Sequence, residues 1–173
     1  MTLEPAQIAE QGKKAFENKK FGEAAELFRQ AAEGFTAGRS GIMAAEMMNN
    51  RSVALLQAGN PQEALAAAQD TDQVFAGAHD LKRQGMALGN QAAALEGLNR
   101  YDEAIASYER SAELFAQAGE GDLRSMVMKS AAAIKLKTGK ITESAFKMMG
   151  SLDVKENPSI FERILKFFLR FIK

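Results

Sequence analysis

Large apolar residues recur at spacings of three and four along most of the chain, with small residues set among them at fixed intervals. That spacing is helical, and the small residues stand where two helices must approach closely. The pattern also repeats as a whole. Glu23-Ala24, Glu63-Ala64 and Glu103-Ala104 lie 40 residues apart (63 − 23, 103 − 63), and Glu143-Ser144 continues the series. Gly12, Ser52, Ala92 and Ala132 form a column of small residues. Phe28, Ala68, Tyr108 and Met148 form a second column, and Ala31, Thr71, Ser111 and Ser151 a third. Phe35, Phe75 and Phe115 close their units just before Gly- or Ala-rich turns.

Each unit therefore reads as two antiparallel helices, and the chain as an all-α array of four helix pairs followed by a C-terminal amphipathic helix. The predicted helices run at about 4 to 18, 21 to 37, 42 to 58, 61 to 77, 81 to 98, 101 to 118, 122 to 138 and 141 to 150. The repeats span about 5–38, 41–78, 81–120 and 122–152, which makes 1–152 a repeat domain and 153–173 a linker with a terminal helix. In the turn inside the second unit, Gly59-Asn60-Pro61-Gln62-Glu63, Asn60 is expected at the N-cap, Pro61 at the first helical position and Glu63 at the capping carboxylate. Lys19 to Glu23, Asn99 to Glu103 and Gly139 to Glu143 are the other copies.

Composition narrows the classes of function. With 173 residues, 46% of them hydrophobic, the chain is one domain long and can bury a core. Lys+Arg 22 against Asp+Glu 22 gives no net electrostatic pull toward nucleic acid, so none is expected as a partner. The absence of cysteine removes disulfides and Cys-based metal sites. Met1 to Lys20 is polar and lacks the apolar run of a signal peptide, which gives a cytoplasmic expectation.

Gly12, Ala24, Phe28 and Ala31 fall in the pattern of small and aromatic positions that defines tetratricopeptide (TPR) repeats, and the likeness runs over about 5 to 152. The 40-residue period (63 − 23) exceeds the usual 34, so the chain resembles the longer-period subgroup that includes cell-polarity adaptors and kinesin light chains. The resemblance implies a right-handed solenoid and a scaffold or adaptor that binds a peptide or helix on the concave surface lined by the first helix of each pair.

One branch of that family grips the acidic C-terminal tails of heat-shock chaperones. Asn50-Arg51-Ser52 and the stretch from Ala92 to Tyr101 resemble it. Its clamp of Lys, Asn, Asn, Lys and Arg falls here on Ala9, Lys13, Asn50, Met86 and Asn90, of which only Asn50 keeps its type. A clamp for two carboxylates needs cations, and Lys13 alone remains, so that ligand is disfavoured. By the same alignment the groove is lined by Lys13, Glu46, Asn49, Asn50, Val53, Met86, Gly89, Asn90, Ala93, Met126, Lys129 and Ser130. Amides that both donate and accept, beside adaptable methionines, suit an extended peptide or an amphipathic helix. The alternative is that Asn50 and Asn90 bridge neighbouring helices and the methionines are ordinary packing.

Beyond the repeats, Asn157-Pro158-Ser159 breaks and restarts the helix. In 160–173 the charges Glu162, Arg163, Lys166, Arg170 and Lys173 share an arc of roughly 100°, and the apolar residues span roughly 200°. The interaction face is Phe161, Ile164, Leu165, Phe168, Phe171 and Ile172, with Ile160, Phe167 and Leu169 beside it. Left in water, these side chains would forgo on the order of 15 kcal/mol. Three sites could take them: the open end of the fourth helix pair, a second copy of the chain or a partner, or a membrane surface, which would make the protein peripheral. The segment is too short to span a bilayer.

No enzyme is expected. His79 is the only histidine and falls in the turn Gly77-Ala78-His79-Asp80, with no nucleophile, base or metal cluster arranged around it. Glu23, Glu63, Glu103 and Glu143 stand in first turns, where capping and the helix dipole account for them. Lys13-Lys14 and Lys19-Lys20 read as a solvated face. No cofactor is implied.

Overall fold

The computed structural model describes residues 4–140. Its helices are α1 Pro5–Glu17, α2 Phe21–Ala37, α3 Gly41–Gln57, α4 Pro61–Ala68, α5 Thr71–Gly77, α6 Leu81–Gly97, α7 Tyr101–Gln117 and α8 Gly121–Lys137, with no strand among the described residues. α1 packs on α2, α2 on α3 and α3 on α4, α6 packs on α4, α5 and α7, and α3 also touches α5 and α6. The architecture is an all-α, TPR-like helical solenoid. The helix predicted over 141–150 and the C-terminal helix, with Phe161, Ile164, Leu165, Phe168, Phe171 and Ile172, lie outside the described residues.

Helix ends carry the repeat. Lys19, Arg39, Gly59, His79, Asn99, Gly119 and Gly139 all adopt left-handed φ between 56° and 82°, and consecutive members are 20 residues apart (39 − 19). Each is the residue just past a helix end, where the left-handed turn lets backbone N–H groups close onto the last carbonyls. At Lys19, for example, the N–H bonds the Phe16 carbonyl at 2.9 Å and the next N–H bonds that of Ala15 at 2.9 Å. Asn60 and Pro61 take the expected N-cap and first helical positions, though the Asn60 side chain makes no cap hydrogen bond. Glu23 and Glu103 instead pair with the basic residue three positions earlier, Lys20 at 3.1 Å and Arg100 at 2.7 Å.

Small residues set helix spacing. A Cβ on Gly12 would stand 2.9 Å from the Phe28 ring, and one on Gly85 2.9 Å from the Phe115 ring. Ser52 donates to the Ala64 carbonyl and Ser111 to that of Gly85, both at 2.7 Å, so each buried hydroxyl is satisfied by the facing backbone. Phe75 is fully buried with Ala45 and Ala87.

One predicted helix is corrected. The second helix of the second pair does not run unbroken from 61 to 77: it ends at Ala68 and restarts at Thr71, with Asp70 at φ 60°. The freed Ala68 carbonyl accepts from Thr71 Oγ1 at 2.8 Å and from Gln91 Nε2 of α6 at 2.9 Å. Thr71 also bonds Asn49 Oδ1 at 3.0 Å, and Gln91 reaches Asp72 at 3.2 Å. Side chains from α3 and α6 thus replace the backbone hydrogen bonds given up at the break.

The chain divides into two compact units, 1–131 and 132–173. In the second, Ile134 is buried and the Thr138 hydroxyl closes the helix end onto the Ile134 carbonyl at 2.9 Å.

Candidate partner-binding groove

The first helix of each pair, α1, α3, α6 and the α8 stretch up to Ala131, carries the residues expected to line the groove. Two contacts join α3, α6 and α8. Arg83 of α6 bonds Glu46 of α3 at 3.2 Å, and a Cβ on Gly89 of α6 would meet Val127 of α8 at 3.6 Å. The register is therefore continuous: position 46 of one repeat faces position 43 of the next (83 − 40).

The expected lining residues divide into three sets. Asn50, Asn90, Val53, Ala93 and Gly89 are half-buried, and Lys13, Met86, Met126 and Lys129 are exposed. Lys13 stands 3.9 Å from Glu10 on its own helix. Three residues are already committed to the fold, Glu46 among them through Arg83. Asn49 is 7% exposed with its amide 3.0 Å from the Thr71 hydroxyl, and Ser130 shares a hydrogen bond with the Tyr108 hydroxyl. Asn50 and Asn90 occupy one register in successive repeats (90 − 50 = 40), and among the described residues neither side chain makes a hydrogen bond. Beside them, Met86 and Met126 share a second register and are 44% and 58% exposed.

Tyr108 of α7 ties that helix to α6, its hydroxyl donating to Glu96 at 3.0 Å. Burial, reinforced by the Glu96 carboxylate, pushes its hydroxyl well above the usual phenol value, so it stays a neutral donor.

The model of the family described as soluble NSF attachment protein, SNAP, matches residues 6–154. The chain belongs to the SNAP family. No curated protein matches it. The SNAP family is a helical protein-interaction module of adaptor type, so the repeat resemblance holds at the level of architecture while the family is SNAP rather than a TPR repeat family. In this SNAP-family chain the described residues hold no cluster of metal-ligating side chains and no helix long and apolar enough to cross a membrane. His79 is exposed at a helix end with φ 56°.

Arg83 is the site residue that sequence reasoning missed. It bonds Asp80 at 2.6 Å and Glu46 at 3.2 Å, and its guanidinium lies 5.5 Å from the centre of the Phe75 ring. Asp80 caps α6, its carboxylate accepting from the Arg83 N–H at 2.9 Å. That backbone bond, then the Arg83 side chain, holds the Asp80 carboxyl below its ordinary value. A depressed carboxyl contributes stability that is present above its unfolded pKa and is lost as pH falls through the folded one. Asp80→Ala is accordingly expected to cost about 1 kcal/mol at neutral pH. The penalty should shrink as pH falls below about 4, which urea titrations at two pH values check.

Proposed function

We propose that this chain is a non-catalytic cytoplasmic adaptor that holds a helix or extended segment of another protein along the groove of α1, α3, α6 and α8. The carrying observation is the pair Asn50 and Asn90, placed one repeat apart, half-buried and free of hydrogen bonds among the described residues. Each carboxamide offers one acceptor and two donors, the complement of a ligand's backbone or polar side chains. The exposed Met86 and Met126 supply an apolar surface that adapts to varied side chains. Arg83 is paired with Asp80 and Glu46 and so is not free to hold a charged tail, while Lys13 and Lys129 remain exposed on a face otherwise lined by amides and methionines. The family description, an attachment protein, supports a role in joining proteins.

The test uses the full chain and a synthetic amphipathic helical peptide of leucine, alanine, glutamine and lysine carrying a fluorophore. Changing both Asn50 and Asn90 to Ala removes two amide contacts at about 1 kcal/mol each, so affinity is expected to fall at least about ten-fold. Neither amide holds the fold, so the stability change should stay within about 0.5 kcal/mol. Equal affinity of the variant and the parent chain, measured by fluorescence anisotropy, would count against the groove.

A further inference from the structure

We propose that the groove methionines form an oxidation site, at which conversion of Met43, Met86 and Met126 to sulfoxides by hydrogen peroxide weakens the hold on a partner. The inference rests on the groove reading above. Methionine is usually buried, and Met47 is, at 2% exposed. Met43, one turn away on the same helix, is 38% exposed, Met86 is 44% and Met126 58%. Met86 and Met126 share one register (126 − 86 = 40), on helices brought together at Gly89 and Val127. Met43 stands three residues before Glu46, the member of that register in α3. The chain contains no cysteine, so no thiol of its own competes for the oxidant.

In the step itself the thioether sulfur attacks one peroxide oxygen. An S–O bond forms, the O–O bond breaks and water leaves, so sulfur loses two electrons to the peroxide. The flexible apolar side chain becomes a polar, chiral one, and a sulfoxide reductase can restore it. At these three positions the surface loses the adaptable apolar character an amphipathic helix needs. Met128 supplies an internal control. It is 50% exposed but lies about 200° around α8 from Met126, off the groove face.

The experiment treats the full chain with hydrogen peroxide, maps sulfoxides by proteolysis and mass spectrometry, and titrates the product with the same amphipathic peptide. The expected result is oxidation of Met43, Met86, Met126 and Met128 at least about ten-fold faster than Met47, with affinity lowered at least about ten-fold. A triple variant with Met43, Met86 and Met126 changed to Leu keeps apolar volume, retains affinity and loses the peroxide response. Met128→Leu alone keeps that response. Oxidation of Met47 as fast as the groove residues, or unchanged affinity once those residues are converted, overturns the proposal. If the untreated chain does not take the peptide, the groove reading fails and this inference falls with it, whatever the oxidation map shows.

Discussion

Changing Phe75 to Ala is expected to lower stability by about 3–5 kcal/mol, the largest single-residue effect foreseen in the described part of the chain. The ring is wholly buried, and its core neighbours, Ala45 of α3 and Ala87 of α6, have no longer side chains that could swing in to fill the space. The cavity would therefore persist, and the cost of such substitutions grows with the volume left empty. Position compounds the loss. Phe75 sits in α5, a helix of 7 residues separated from α4 by the break at Asp70, and its ring is the large apolar anchor beside the polar ties of Thr71 to Asn49 and Asp72 to Gln91. Arg83 would also lose the aromatic face beneath its guanidinium, while keeping Asp80 and Glu46. Urea unfolding of the variant should show a lower midpoint. If α5 melts locally before the rest, the slope should also be shallower. A loss below about 1 kcal/mol would mean that the second and third repeats are not joined through this ring.

The second large effect concerns a missing side chain. Gly85→Ala places a Cβ 2.9 Å from Phe115 Cε1, closer than real Cβ atoms come to a neighbour. Neither side can give way easily. Phe115 is almost fully buried, and the Ser111 hydroxyl bonds the Gly85 carbonyl at 2.7 Å, holding α6 against α7. Overpacking of this kind costs about 1–3 kcal/mol, more than the roughly 0.5–1 kcal/mol an alanine gains over glycine inside a helix. Gly22→Ala is the matched control, because a Cβ there meets nothing within 4 Å and should leave the chain as stable or slightly more so. Shortening the ring by combining Gly85→Ala with Phe115→Leu should cost less than the sum of the two single changes, since both act on one contact. Thermal unfolding of the four proteins gives the comparison; strict additivity would show that the ring is not what excludes the methyl group.

The helix pairs were legible because their determinants are local and repeated. Gly12 and Phe28, or Gly85 and Phe115, announce a close approach wherever a small residue on one helix meets a ring on its neighbour. The left-handed helix ends at 19, 39, 59, 79, 99, 119 and 139 follow the same period, although only three of them are glycine. The break after Ala68 was not legible, because it depends on partners distant in the chain. Ala68 stands in a column otherwise filled by the larger Phe28, Tyr108 and Met148, and its freed carbonyl is claimed by Gln91, 23 residues on. A reading based on period continues the helix through such a point.

The groove was legible only in part, for a geometric reason. One residue is about 100° on a helix, so the adjacent pair Asn49 and Asn50 cannot share a face, and sequence alone does not say which turns inward. The structure turns Asn49 in, onto Thr71, and leaves Asn50 at the surface. Repeat spacing carried that distinction to Asn90, where glycine replaces the inward amide at position 89. Arg83 escaped notice because its main partner across the repeat boundary, Glu46, is 37 residues away; the local signal was the Asp80-x-x-Arg83 spacing of an N-cap and third helical residue. Met43 was missed because it falls one helical turn before the aligned register.

The most direct test of the groove is a titration followed by methionine methyl NMR. The full chain, labelled at methionine methyl carbons, is mixed stepwise with the amphipathic helical peptide. The Met43, Met86 and Met126 signals are expected to move together along one binding curve while Met47 and Met128 stay in place, and changing Asn50 and Asn90 to Ala should shift that curve to weaker binding. Movement centred on Met128, with Met86 and Met126 unaffected, would place the docking surface elsewhere and rule out the groove.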